Sequence, residues 1–468
     1  MSCDLAPPAQ LRTLFASAMS ELYSAEVPSY ADLVNLVETT NAQILRERRD
    51  PRSENHVCVA EISSQRHGAI RVGRPDELSF LRRLFALFGM QPVAFYDLVP
   101  AGLPVYSTAF RPISASELVS SPFRMFCSLL RPELIQDPTV RDQVIASISE
   151  RKIATPRLER LLEQAEARGG VRSEDAAELI DESVRVFLWT GEARVSKSLY
   201  ESFLSSHRLI ADIAAFAGPH INHLTPNTLD IDRLQAGLVD AGLKAKATIE
   251  GPPRRECPVL LRQTAFHAVE ETVRFATNNH EDHAEDVNGK HTARFGEVEQ
   301  RGAALTPMGR ELYDTCLTQA HGGVQDSDQE QRLRDAFETF PDDWQTLLER
   351  DLVYFRYALV EGKNHGRMSD LDLGNPTARA DAVTHGLLSV EPILYEDFLP
   401  VSAAGIFRSN LGTDTSEGPS GASPNHSSQT DFESALGRPV IDPHILYAAE
   451  QKKTLDDVAE QLINLCGQ

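Results

Sequence analysis

At 468 residues, with 41% hydrophobic and 24% charged side chains, the chain has the composition of a globular protein able to bury a large core. Its net charge of -22 repels phosphate backbones and anionic lipid, which argues against nucleic acid and membrane surfaces as partners. That charge does not exclude an acidic small molecule, which responds to the local field of its own pocket.

The opening residues MSCDLAPPAQ lack the basic and apolar regions of a secretory signal. The longest apolar stretch, LIADIAAFAG at 209–218, is too short to span a bilayer. NLCGQ at the end is not a peroxisomal address. Six cysteines, at positions 3, 58, 127, 257, 316 and 466, form no CxxC pair. A reduced, cytoplasmic protein whose thiols serve packing is the expectation.

In chain order, apolar residues recur at three and four through 30–49, which predicts a helix. HGAIRV (67–72) then reads as a strand, 76–89 as a helix, and 91–98, 103–110 and 123–130 as strands rich in β-branched and aromatic residues. A helical block follows over 132–215. The same order then recurs: HINHLT as strand, 228–242 as helix, and KAKATIEG (244–251), CPVLLRQTAF (257–266) and TARFGEVEQRG (292–302) as strands. The chain therefore reads as one elaborated α+β domain. It comprises a first βαβββ copy (67–131), a helical insertion (132–215), a second copy (218–302) and closing helical elements (303–468). Two stretches read as loops without a core: the charged NNHEDHAEDVNGKH (278–291) and the Ser/Gly/Thr/Asn tract over 409–431.

Organic cofactors have no motif here. The chain lacks a GxSxG elbow, a GxxxxGK[ST] phosphate loop and a dinucleotide fingerprint. HEDHAEDVNGKH, with His280, His283 and His291, is not HExxH and has no helical frame, so solvated charge is the expectation there. GPHINHLTP (218–226) places His220 and His223 three apart, and a strand sends such positions to opposite faces, so at most one belongs to a shared site. If the two copies curve around one cavity, His67 on the first strand, one histidine of HINH and Glu297 on the last strand converge. Two imidazoles and one carboxylate leave open positions on an ion, the arrangement of non-haem iron(II) oxygenases. Arg71 lies four residues after His67, on the same strand face, and offers a planar fork to a carboxylate.

The strings RHGAIRVG, GPHINHLTP, LLRQTAF, ARFGEVEQRGAALTPMGRELYD and YEDFLPVSAAGIFRSNLG, spread over about 66–411, resemble the motifs of the 2-oxoadipate dioxygenase/decarboxylase family, also called hydroxyglutarate synthases. The resemblance implies a vicinal oxygen chelate-like core forming a curved sheet or partial barrel, and Fe(2+) as cofactor. The implied reaction converts 2-oxoadipate and O2 to (R)-2-hydroxyglutarate and CO2 in lysine breakdown. It also implies that His67, His223 and Glu297 hold the iron, and that His67, Arg71, His223 and Val401 contact the 2-oxo diacid. FGEVEQR is similar to the iron-binding strand of hydroxyphenylpyruvate dioxygenases, whose first glutamate is the ligand, which favours Glu297 over Glu299. Repeat spacing points instead to His220: His67 precedes Gly89 by 22 residues, as His220 precedes Gly242. A metal-dependent isomerase or hydrolase on the same core, and a non-catalytic scaffold, are the alternative readings.

Overall fold

The computed structural model describes residues 4–50, 56–246, 248–276, 288–320, 329–362, 372–399 and 426–466. Two compact units divide the chain. The first comprises Met1–Ile249, Gln263–Glu299 and Phe398–Ile441, and the second Glu250–Arg262, Gln300–Asp397 and Asp442–Gln468.

The first unit is built on a seven-stranded sheet. Strands β1 (Gln65–Val72), β2 (Gln91–Asp97), β3 (Val105–Arg111) and β4 (Arg124–Leu130) come from one copy, and β5 (His223–Pro226), β6 (Leu261–Ala265) and, beyond an intervening hairpin, β9 (Phe295–Arg301) from the other. Their order is β2-β3-β4-β1-β5-β9-β6, so the first strands of the two copies are central neighbours and each last strand flanks its own first strand. β1 runs parallel to β4 and antiparallel to β5, and β5 runs parallel to β9. The two copies are thus related by a local two-fold that puts β1 beside β5. This is the expected α+β class with a curved sheet.

The second copy departs from the expected pattern at one edge. Among the described residues of 244–251 only isolated bridges form, at Ala245, to Phe266, and at Glu250. The segment runs into Gly251 at φ 110 and then two prolines, which lack the N–H a ladder needs, so the strand expected there does not form. The end of the charged stretch, from Asn288, is strand rather than solvated loop. Glu270–Arg274 (β7) and Asn288–Thr292 (β8) pair antiparallel as a separate hairpin, while 277–287 lie outside the described residues. At the end of the 409–431 tract, His426–Leu436 is a helix that buries Phe432 and Leu436. The rest of that tract, like Val401, lies outside the described residues.

Helices α1 (Pro8–Glu26) and α2 (Pro28–Glu47) cover the sheet's core face. α1 buries Leu11, Phe15, Met19 and Tyr23 at spacings of four, one stripe of a 3.6-residue helix, and α2 buries Leu33, Val37, Ile44 and Leu45, spaced four, seven and one, along a stripe of its own. Each such side chain contributes about 1.5–3 kcal/mol by leaving water. The Tyr23 hydroxyl, 2.8 Å from the carbonyls of both Asn222 and Phe295, ties α1 to the backbone where β5 and β9 begin.

In the second unit, strands β10 (Phe355–Leu359) and β11 (Leu388–Pro392) form an antiparallel pair. Helix Pro443–Cys466 satisfies the outer edge of β10, with Gln451 and Thr454 accepting from the amides of Phe355 and Tyr357. Among the described residues no helix is long and apolar enough to cross a membrane.

Candidate metal centre

Strand alternation gives the sheet two faces, and the sequence sorts its residues between them. On β1, Gly68 turns inward, where an added Cβ would meet Leu224 and Ile221 within about 3 Å. His67, Ala69 and Arg71 take the other face. Register across the central strands sets His67 opposite Thr225, Ala69 opposite His223, and His223 opposite Phe295. Glu297 and Glu299 follow Phe295 at steps of two, so they share its face.

The result is a convergence of three ligand-bearing side chains. One donor atom each from His67, His223 and Glu297 lies within 4.8 Å of the others, and all three residues are buried. His67 Nε2 is 3.0 Å from Glu297 Oε1, and His223 Nε2 is 4.0 Å from Glu297 Oε2. Thr225 Oγ1 and Gln263 Nε2 donate to Glu297 Oε1 at 3.1 and 2.7 Å, fixing the carboxylate's orientation. The rings of Phe398 and Phe295 lie 4.7 Å from those of His67 and His223, giving the cluster apolar walls.

Behind His67 stands Glu299, whose Oε2 accepts from Nδ1 at 2.8 Å. That hydrogen bond turns Nε2 toward Glu297 and His223, as a carboxylate behind a metal-ligating imidazole does. Burial would lower the His67 pKa, but Glu297 and Glu299 outweigh it and raise the pKa above its ordinary value. His223 goes the other way. Burial pushes it down to about 3, opposed by Glu297 and helped by the charges of His67, Arg71 and Lys246, so its ring is neutral and its lone pair is available. Glu297 is ionised: burial favours its protonated form, but His223 and His67 more than offset this and hold it below the usual carboxylate range. Two imidazoles and an ionised carboxylate on one side of a point suit a divalent transition metal, so the residues present fit the iron that the resemblance implies.

His220 lies elsewhere. β5 begins only at His223, and His220 Nε2 is 3.0 Å from Asp212 Oδ1. His291 Nε2 meets the same oxygen at 2.9 Å. Arg71 Nη1 forms a buried ion pair with Asp212 Oδ2. Residues 220–222 precede β5, so His220 does not hold the in-strand position that His67 holds on β1.

Asp212, His291 and the supporting role of Glu299 are not found by sequence reasoning. The available signal for Asp212 was its position as the single charge within LIADIAAFAG, since a charge buried in an apolar helix needs partners. His291 belongs to the charged stretch expected to stay solvated, yet it is buried on β8.

An α+β protein with a buried two-histidine, one-carboxylate centre on one face of its sheet is the class these observations define. A family model for 2-oxoadipate dioxygenase/decarboxylase matches residues 15–410, and the chain belongs to that family of enzymes. The 2-oxoadipate dioxygenase/decarboxylase of Escherichia coli K12 is 44% identical over 447 residues, covering 95% of this chain and 97% of the relative. That of Pseudomonas putida is 43% identical over 468 residues, with 98% of each covered. The crystal structure of the hydroxyglutarate synthase from Pseudomonas putida in complex with 2-oxoadipate aligns with a TM-score of 0.84 at 41% identity, covering 98% of this chain and 99% of that one.

Proposed function

We propose that this chain is a cytoplasmic iron(II)-dependent enzyme that converts 2-oxoadipate and O2 to (R)-2-hydroxyglutarate and CO2 in lysine catabolism. The observation that carries the reading is the buried trio of His67, His223 and Glu297, drawn from three strands to one sheet face. Membership of the family and the 2-oxoadipate bound to a relative of the same fold support it. The stoichiometry closes without a further reductant: a six-carbon 2-oxo diacid and one O2 contain the atoms of a five-carbon 2-hydroxy diacid and CO2.

When bound, iron(II) supplies a Lewis-acidic point for chelating the carboxylate and keto oxygens of a 2-oxo acid, together with redox chemistry toward O2. The chain's own residues bind, orient and exclude water. His67 and His223 present Nε2 atoms, Glu297 presents an oxygen held by Thr225 and Gln263, and Glu299 keeps the His67 ring turned toward the centre. Arg71, on the same face of β1, receives the distal carboxylate of the diacid. Val401 contributes a further contact to the substrate. Phe295 and Phe398 restrict water around the reacting end.

Aerobic and anaerobic incubations with 2-oxoadipate test the reading. O2 uptake matched by CO2 release and a 2-hydroxy diacid is expected, lost with a chelator and restored by iron(II). Product formation without O2 would instead indicate a metal-dependent isomerase or hydrolase.

A further inference from the structure

Beside the centre lies a second cluster of buried polar groups. Asp212 comes from helix Arg208–Ala214 at the end of the helical insertion, Arg71 from β1, His220 and Asn222 from the segment entering β5, and His291 from β8. Four donors meet one carboxylate. Arg71 Nη1 and Asn222 Nδ2, the latter at 3.3 Å, reach Oδ2, while His220 Nε2 and His291 Nε2 reach Oδ1 at 3.0 and 2.9 Å. The Tyr200 hydroxyl lies 2.9 Å from His291 Nδ1 and holds the ring with its Nε2 edge facing Asp212. Trp189 and Phe216 enclose the two imidazoles, with ring centroids 4.6 Å from His220 and 4.7 Å from His291.

The charges make this a clamp on Arg71 rather than a second metal centre. Burial disfavours the Asp212 anion, but Arg71 and His220, with the hydrogen bond from His291, hold its pKa well below the usual carboxylate range. Burial lowers the His220 pKa despite the nearby carboxylate, so that ring is a neutral donor. A cation placed between the imidazoles would sit beside a guanidinium bonded to the same carboxylate. The donors already present use about as many lone-pair sites as a carboxylate offers.

An arginine side chain normally has many rotamers and can follow a carboxylate over several ångströms. Held by a carboxylate that is itself tied to two other segments, the one entering β5 and β8, the Arg71 guanidinium has a fixed place along the sheet relative to His67. We propose that Asp212 is a positioning residue that sets the chain length of the accepted 2-oxo diacid, by fixing the distance between the metal centre and the group receiving the distal carboxylate. The proposal rests on the role given to Arg71 under the proposed function.

The test uses full-length, iron(II)-loaded protein under anaerobic conditions, where binding is read without turnover. Calorimetric dissociation constants are measured for 2-oxoglutarate, 2-oxoadipate, 2-oxopimelate and 2-oxohexanoate, the last having six carbons but no distal carboxylate. In Asp212→Asn, 2-oxoadipate is expected to weaken roughly two- to tenfold, the scale of freeing one ordered long side chain, while 2-oxohexanoate is little changed. Preference for six carbons over five and seven then narrows, and iron per chain stays at the wild-type value. Asp212→Glu keeps the charge one methylene further out, and is expected to move the optimum away from six carbons without abolishing diacid binding. It also serves should the asparagine variant fail to fold. Arg71→Ala lowers diacid affinity at every length and shows that the distal carboxylate is read there. Uniform weakening of all four ligands in both Asp212 variants would overturn the proposal, as would loss of one of two bound metal equivalents. Failure of the wild-type protein to bind any 2-oxo acid would overturn the proposed function itself, and the clamp's role with it. Binding with an unaltered length preference in the variants would overturn the clamp alone.

Discussion

Glu297 and Glu299 are two residues apart on one strand face, yet the surroundings give them different work. Glu297 points among His67, His223, Thr225 and Gln263, whereas Glu299 lies on the far side of the His67 ring with Arg66 Nε 3.7 Å from its other oxygen. Replacing Glu299 by glutamine keeps the size and an acceptor but removes the charge that polarises the imidazole. Iron(II) affinity in Glu299→Gln is expected to fall roughly 10–100-fold, as for other groups behind a metal ligand. Competition against a chelator of known affinity measures this, and an unchanged affinity would remove Glu299 from the support of His67. At this scale the sequence is uneven in what it discloses. FGEVEQR exposes both glutamates because alternation puts them on one face. Histidines 220 and 223 are ambiguous, because a three-residue offset does not reveal where the strand begins. The partnership of Asp212 with His291 spans 79 residues and joins an apolar helix to a charged hairpin, and no local pattern encodes such a meeting.

At the scale of elements, the first copy is legible because β3 and β4 are buried along their whole length and rich in apolar residues, and its helix opens on Pro75 with acidic residues in the first turn. The second copy is less so, since the stretch before Gly251 alternates like a strand but ends where the backbone cannot continue one. The same close packing makes β9 intolerant of bulk one residue before Glu297. A Cβ on Gly296 would lie 2.2 Å from Phe266 Cε1 and 2.8 Å from Leu33 Cδ2, so both the strand and α2 would have to shift. Gly296→Ala is therefore expected to cost about 1–3 kcal/mol, the usual range for overpacking a core. The denaturant midpoint falls accordingly, and the displacement of β9 also weakens iron binding. A variant as stable as the parent would show that Phe266 and Leu33 yield easily and that β9 is not held by this contact.

Across the whole molecule, the centre exists only when residues 67, 223 and 297 are brought together by folding, with the 132–215 block between the first two. The unfolded chain has no comparable site, so metal that binds the native state stabilises it by mass action, about 2.7 kcal/mol at a free concentration one hundred times the dissociation constant. Anaerobic iron(II), or a redox-inert ion such as zinc(II), is expected to raise the thermal midpoint. It should also slow amide exchange in β1, β5 and β9, the strands that carry the three ligands. Magnesium gives no such shift, because it favours oxygen donors and holds its water, whereas two of the three donors here are imidazole nitrogens. Glu297→Ala isolates the cause, since it removes the only carboxylate of the trio and leaves the two histidines. If transition metal raises the midpoint of that variant as much as that of the parent, or if magnesium acts equally well, the ion is binding elsewhere on a chain of net charge -22, and the trio is not its site.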